Sequence, residues 1–479
     1  MLKRSKMAAF LVAALGISGV SFASDKANNS NLFSEKELQT AAKIRDAALK
    51  DNLSYKILES LTTEVGPRMA GTPADARAVA WAEAKFKELG FDKIWKEPVT
   101  FPSWKRGVEK AEILTPFPQP LLITALGNSI ATPVNGLSAE VVQFATYKDL
   151  VAAAPEMVRG KIVFINHKMQ TAQDYGKVQP GRSKGASEAA RKGAVAIVIR
   201  SVGTDSHRFP HTGVMNYEPD AAKIPAAAMS NSDADLLTRM MMRGAPVTLK
   251  LELGSSAGEM LTSYNVIGEM TGTELPNEYV VIGGHLDSWD LGTGTIDDGA
   301  GCAMTMAAAE SIKRMGVKPR RSVRVVLFAN EEQGLFGGKA YAKAHQDQLG
   351  QIQAAAEADS GQGPVIQLSS YVLPQALLAV KQMQTVMAPL GVQAGDNDAY
   401  PGPDMGDLKM AGAASFGLNL KSDDYFDYHH TPDDTFDKIE PARINQATAA
   451  YAVFAWMAAQ APMSFGSGSP ALKGKKAEH

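Results

Sequence analysis

From residue 279 onward, short apolar runs alternate with longer stretches in which apolar residues recur every three or four positions. Residues 280–282, 323–329, 354–358 and 414–418 read as buried strands, and 300–315, 335–345, 375–387 and 441–460 as helices. Continuously apolar strands separated by helices of this length predict an α/β fold, with a mostly parallel sheet covered by helices on both faces.

Upstream the texture differs. Ser34 and Glu37 form a capping-box pattern, and Leu38, Ala41, Ile44 and Ala48 follow at helical spacing. Thr72 is placed to cap a second helix that starts at Pro73 and stops at Gly90, just after the Gly66-Pro67-Arg68 turn. Arg68 then has two readings, as a substrate or site residue or as a brace for loop carbonyls. Between 122 and 254, β-rich runs at 161–165 and 194–199 alternate with helical pieces at 186–192 and 232–243. These predict a separate small α/β module inserted into the larger domain, which resumes over 255–463 after a first segment at 24–121.

The two ends carry other signals. Lys3, Arg4 and Lys6 precede an apolar run at 7–20, and Ser21-Phe22-Ala23 offers small residues for cleavage. Residues 1–23 therefore read as a secretory signal, too short for a comfortable membrane span, so the expected location is extracytoplasmic, periplasmic or secreted. No membrane association is expected after its removal. The Gly-, Ser- and Lys-rich segment 464–479 reads as a flexible tail.

Composition narrows the chemistry. The chain has 479 residues, 45% of them hydrophobic, and 49 basic against 51 acidic side chains give a net charge of -2. That supports a large core and supplies no electrostatic reason to expect nucleic acid or an anionic membrane as partner. Cys302 is the only cysteine, which excludes an intrachain disulfide and thiolate metal clusters. A metal would have to be held by His, Asp and Glu.

Those residues gather at predicted strand ends. Residues 280–301 carry His285, Asp287, Asp297 and Asp298 among glycines; 330–334 carry Glu331 and Glu332; Asp359 follows the strand at 354–358; and 429–435 carry His429, His430, Asp433 and Asp434. Open parallel sheets bind ligands at the carboxyl ends of their strands. Adjacent buried carboxylates repel unless a cation neutralises them. A pair of divalent ions, with one carboxylate bridging and another left free as general base, is the economical solution. His167, His207 and His211 lie in the inserted module without a dense acidic cluster and read as scattered surface or core histidines. No His-x-x-Glu helix motif supports a single-metal carboxypeptidase.

The motifs Gly284-His285-Leu286-Asp287-Ser288, Thr295-Ile296-Asp297-Asp298-Gly299, Asn330-Glu331-Glu332-Gln333-Gly334, Asp359 and His430-Thr431-Pro432-Asp433-Asp434-Thr435 together resemble the cocatalytic dizinc aminopeptidase family. The module, with Arg200-Ser201-Val202, Pro210-His211-Thr212-Gly213 and Lys223-Ile224-Pro225, resembles a protease-associated domain. The resemblance implies a zinc exopeptidase fold and two Zn2+ per chain. Asp297 would bridge, His285 and Asp359 would complete one site, and Glu332 and His430 the other. It makes Glu331 the general base, Asp287 an acceptor for His285, and the Asp297–Asp298 peptide a candidate for the cis form. His429 stands where many relatives have Tyr, and either contacts substrate or the developing oxyanion or packs behind the ligands. Peptide substrates, dipeptides or short peptides, and a homodimer are implied as well. A single-zinc glutaminyl cyclase-like enzyme and a non-catalytic receptor-like binding protein are the alternatives on the same fold. No arginine is assigned to a substrate carboxylate.

Overall fold

The computed structural model describes residues 31–474. Among them the strands form two eight-stranded sheets. The larger runs, edge to edge, Lys93–Lys105, Ser256–Met270, Arg321–Phe328, Leu275–His285, Ile352–Glu357, Ser415–Leu420, Val365–Tyr371 and Gln393–Ala394. The four strands from Arg321–Phe328 to Ser415–Leu420 are mutually parallel. Ser256–Met270 and Val365–Tyr371 join this parallel centre antiparallel.

Helices cover both faces, as the continuous apolar strands require. Val280 and Ile282 pack with residues of the helices Glu35–Ala48, Leu53–Glu64, Ala300–Arg314 and Pro441–Gln460. Their neighbours Tyr279 and Val281 point the other way, toward Tyr341 of Phe336–Ala344 and Leu408 of Gly406–Ala411. Each fully buried aliphatic side chain contributes roughly 1.5–3 kcal/mol. A one-residue slip would exchange the two faces, so the register that delivers His285 to the sheet edge is strongly fixed.

The N-terminal signals act as read. Ser34 Oγ accepts from the Glu37 N–H while the Glu37 carboxylate accepts from the Ser34 N–H, and Thr72 Oγ1 accepts from Asp75 N–H ahead of Pro73–Glu88.

Two long strands escape the alternation pattern. Lys93–Lys105 contains Pro98 and Pro102, and Ser256–Met270 begins with an exposed half. As an edge strand Lys93–Lys105 tolerates proline, so its sequence does not read as a core strand. These two pair along their length and continue as Glu109–Thr115 with Thr248–Leu253 into the second sheet. That sheet runs Gln119–Leu121, Glu109–Thr115, Thr248–Leu253, Leu137–Phe144, Ile162–Ile165, Ala196–Arg200, Ala226–Met229 and Ile123–Ala125. The second sheet thus takes in Glu109–Thr115, upstream of residue 122. Gly107 marks the crossing, because a Cβ there would lie 2.2 Å from the Gly254 carbonyl oxygen on the returning strand.

The first helix expected in the module is Tyr175–Arg191, longer than the predicted 186–192, and the second is Asn231–Met241. Gly176, Pro180 and Gly181 disguise the first half of Tyr175–Arg191, whereas packing explains Gly185: a Cβ there would come within 2.9 Å of Ile197. Of the segment expected as a flexible tail, residues 464–474 are described. Phe465 and Leu472 are buried in the main core, and Ser467 Oγ accepts from Ala414 N–H at 2.7 Å. The predicted signal at 1–23 lies outside the described residues. No helix among those described is long and apolar enough to cross a membrane.

Candidate metal centre

Three neighbouring parallel strands end together. His285 pairs in register with Phe328, and Gly283 with Glu357, so His285, the Glu331–Glu332 turn and Asp359 leave the same edge of the sheet. The chain after His285 then turns back to bring Asp297 over that edge. Arg68, fully buried, fixes this loop by donating to the carbonyls of Leu286, Thr293 (2.7 Å) and Gly294 (2.8 Å). It is the brace for loop carbonyls. Asp434 holds the same loop from the far side, accepting from the N–H groups of Thr295 (2.9 Å) and Ile296 (2.7 Å). The Asp297–Asp298 peptide is cis, as the resemblance implied. Gly301 permits the closest approach, since a Cβ there would lie 1.8 Å from the Ala358 carbonyl oxygen.

Asp297 is the centre of the cluster. Its Oδ1 lies 3.1 Å from His285 Nε2, and its Oδ2 lies 3.2 Å from His430 Nε2. Asp359 Oδ1 is 3.9 Å from His285 Nε2, and Glu332 Oε2 is 2.9 Å from His430 Nε2. His285, Asp297 and Asp359 can each offer one atom within 4.8 Å of the others, and so can Asp297, His429 and His430. The structure therefore brings all five predicted ligands together and adds His429, whose Nε2 is 3.7 Å from Asp297 Oδ2.

Both candidate ligand imidazoles have their far nitrogen occupied, which leaves Nε2 for a metal. His285 Nδ1 donates to the Asp287 main-chain carbonyl at 3.0 Å. The predicted acceptor, the Asp287 carboxylate, stands 3.8 Å off and instead receives the N–H groups of Glu331 and Glu332. Asp287 is thus a tie between two ligand loops. Asp298 receives the His285 N–H at 3.0 Å and the Gly301 N–H at 3.1 Å, joining the strand end to the following helix. His430 Nδ1 donates to the carbonyl of Thr212, a residue of the inserted module, at 3.2 Å. Asn330 (φ 54°) and His430 (φ 64°) both occupy the left-handed region that non-glycine residues rarely adopt, at the two loops that present ligands.

The electrostatics favour a cation here. Burial pushes Glu331 well above the usual carboxylate range, with Asp359 and Glu332 adding to it. Burial, Asp297 and Glu332 push Asp359 up to about 7. Burial alone would raise Asp297, yet hydrogen bonds from His285 and His430 hold it well below its ordinary value. His430, which burial would lower, is raised to about 9 by Glu332 and Asp297. The shifts of Glu331, Asp359 and His430 share one cause, a surplus of buried negative charge. Glu332 Oε1 is also buried without a hydrogen-bond partner. Oxygen and imidazole donors in this density fit divalent metal ions.

His429 is packed rather than free. Its ring stacks on His430 with centroids 3.5 Å apart, and Tyr425 and Phe426 close in at 4.9 and 5.2 Å. Burial and the neighbouring His430 depress its pKa well below the ordinary value, which keeps it neutral, and its Nδ1 has no hydrogen-bond partner.

Sequence reasoning missed the inserted module's share in this site. His211 is buried, donating through Nδ1 to the His429 carbonyl at 2.7 Å while Nε2 meets Asp205 at 2.5 Å. Its Pro210-His211-Thr212-Gly213 motif was the available signal, but nothing in the sequence pairs it with residues 218 positions away. Trp289 and Asp290 also face the module. Trp289 joins the apolar cluster of Ile162, Phe164 and Val198 in the second sheet and also packs against Trp104 and His430, and Asp290 pairs at 2.9 Å with Arg106, at the entry to that sheet.

Carboxylates and imidazoles thus converge, as a metal-binding donor set, at the carboxyl edge where open α/β sheets bind their ligands. Residues 265–455 match Peptidase family M28. Carboxypeptidase Q of Xenopus laevis is 35% identical over 408 residues, 85% of this chain and 86% of that protein. The crystal structure of a Peptidase M28 precursor from Shewanella amazonensis is 50% identical, covers 90% of this chain and 98% of its own, and superposes with a TM-score of 0.88. A zinc aminopeptidase from Bacillus subtilis shares the fold, with a TM-score of 0.62 at 21% identity, over 87% of this chain and 97% of that one. The chain belongs to peptidase family M28, and it is a metallopeptidase acting on peptides.

Proposed function

We propose that this protein is a dizinc exopeptidase that removes the N-terminal residue from dipeptides or short peptides. The observation that carries this reading is Asp297, whose two oxygens each face a different imidazole, His285 on one side and His430 on the other. A carboxylate so shared is suited to bridging two ions. His285 and Asp359 would complete one zinc site, and Glu332 and His430 the other. When bound, such a pair lowers the pKa of a shared water and polarises the scissile carbonyl.

The chain's own residues supply the remainder. Glu331 makes no ion pair with either ligand imidazole, and its raised pKa suits a group that takes a proton from water and returns it to the leaving amine. Asp287 holds the Glu331 N–H at 3.0 Å and so sets where that carboxylate stands relative to His285. His429, neutral and stacked on His430, is proposed as a donor to the developing oxyanion. The inserted sheet is proposed to be a protease-associated domain roofing the cleft, which would limit substrate length. An exported homodimer completes the proposal.

Metal stoichiometry tests the central claim. After chelation and dialysis, activity on a dipeptide should return with two zinc ions per chain. Full activity at one ion per chain would replace the dizinc reading with a single-zinc enzyme.

A further inference from the structure

Arg106 stands at the crossing between the two sheets, next to Gly107, and its side chain is only 10% exposed. All three nitrogens of its guanidinium are engaged. Nε donates to Asp290 Oδ2 at 2.9 Å while Nη2 meets Asp290 Oδ1 at 2.9 Å, the paired geometry in which a planar fork holds a carboxylate. Nη1 donates to Glu109 Oε1 at 2.7 Å and to the Ala125 carbonyl at 2.9 Å. Nη2 also donates to Thr212 Oγ1 at 3.2 Å, and that hydroxyl donates onward to the Ala125 carbonyl at 2.8 Å. The guanidinium lies 5.1 Å from the centre of the Trp104 ring and 5.9 Å from that of Trp289.

Two arms of this contact set lead to the same candidate ligand. Through its hydroxyl, Arg106 holds Thr212, whose N–H donates to the His430 carbonyl and whose carbonyl accepts from His430 Nδ1. Through its carboxylate, Arg106 holds Asp290, and the preceding Trp289 packs edge-on to the His430 ring at 5.9 Å. The other candidate metal site is built without this arginine. His285 is oriented by the Asp287 carbonyl and the Asp298 carboxylate, and Asp359 follows the strand Ile352–Glu357 of the larger sheet. Groups that orient a ligand set the affinity of the site to which that ligand belongs.

We propose that Arg106 is a positioning residue for His430, so that the second sheet tunes the metal site of Glu332 and His430 and leaves the site of His285 and Asp359 as it is. The proposal rests on the dizinc reading above. It makes the two sites unequal in what they depend on: one is held within the larger sheet, the other requires a guanidinium at the sheet crossing.

Zinc affinity, read step by step by chelator competition on the full chain, tests this. Wild type should take up two ions. In R106Q one step should weaken by about 10- to 100-fold, the range for losing a group that orients a ligand, and the other should not move. R106K keeps a point charge for Asp290 without the fork and should recover part of the loss. T212V removes one arm and D290N weakens the other, and each should affect the same step by a smaller factor. In H430A, which lacks the ligand that Arg106 serves, adding R106Q should leave the affinity of the remaining ion unchanged. An arginine that merely holds the fold would shift both steps together or neither. Either result in a folded R106Q would overturn the proposal, as would a further loss of affinity in R106Q/H430A. Should R106Q not fold, unchanged affinities in both T212V and D290N would overturn it equally. Wild type binding one ion would end the dizinc reading, and the role of Arg106 would then stand only if R106Q weakens that ion.

Discussion

Thr212 and His430 bind each other twice: the Thr212 N–H donates to the His430 carbonyl at 3.0 Å, and His430 Nδ1 donates to the Thr212 carbonyl at 3.2 Å. One residue belongs to the inserted module and the other to the metal cluster. The pair holds the backbone of His430 in its left-handed conformation and fixes its tautomer in the same stroke. The module therefore fixes the geometry of one candidate metal ligand.

His211 extends this coupling through the His429 carbonyl, so its removal should reach the metal. H211A is expected to weaken zinc binding by about 10- to 100-fold, as loss of groups that orient ligands does. Chelator competition measures this directly. A variant with wild-type affinity and only a lowered Tm would show that His211 merely packs.

Glu331 is expected to act on the proton and not on the metal. E331Q should bind zinc at wild-type stoichiometry while kcat falls by ~10²–10⁴-fold, the usual worth of a positioned general base. Turnover near the wild-type rate would remove Glu331 from that role.

Gly301 should tolerate no side chain. Replacing a helical glycine by alanine ordinarily gains up to ~1 kcal/mol. Here the added methyl meets the Ala358 carbonyl oxygen at 1.8 Å, and backbone cannot swing aside as a side chain can. Overpacking, at roughly 1–3 kcal/mol or more, should win. G301A is thus expected to lower the denaturation midpoint of the metal-free protein, and a raised midpoint would contradict the contact.

Asp75 gives a pH dependence away from the metal. Burial raises its pKa to about 6, opposed by hydrogen bonds from the Gly71 N–H and Ser263 Oγ. The native state then holds a proton that the unfolded chain, titrating near 4, has released. Its contribution to stability is complete below pH 4 and is lost as pH rises toward 6. Compared with wild type, D75N should show a shallower fall in stability across that window. Parallel curves from urea unfolding at pH 4 and 6.5 would count against it.

Much of the larger sheet was legible because its signals are local. The apolar runs at 280–282, 323–329 and 354–358 are strands because both faces are covered, and their ends carry His285, Glu331, Glu332 and Asp359 at short sequence range. The strands Lys93–Lys105 and Ser256–Met270 were not legible, since prolines and an exposed face erase the pattern of a core strand. Phe465 was hidden in a Gly- and Ser-rich stretch for the converse reason: one large apolar residue suffices to anchor a segment whose composition reads as loose.

What the sequence by itself determined is the inventory of donors and the strand ends that present them. Tertiary structure alone decided how they are held. Asp287 accepts from Glu331 and Glu332 and offers His285 its main-chain carbonyl, and Thr212 and His211 reach across from a second sheet. The reason is physical. Strand and helix periodicities arise from neighbours within a few residues, whereas a hydrogen bond between positions 212 and 430 depends on how two separately formed sheets dock, and no local pattern encodes that distance.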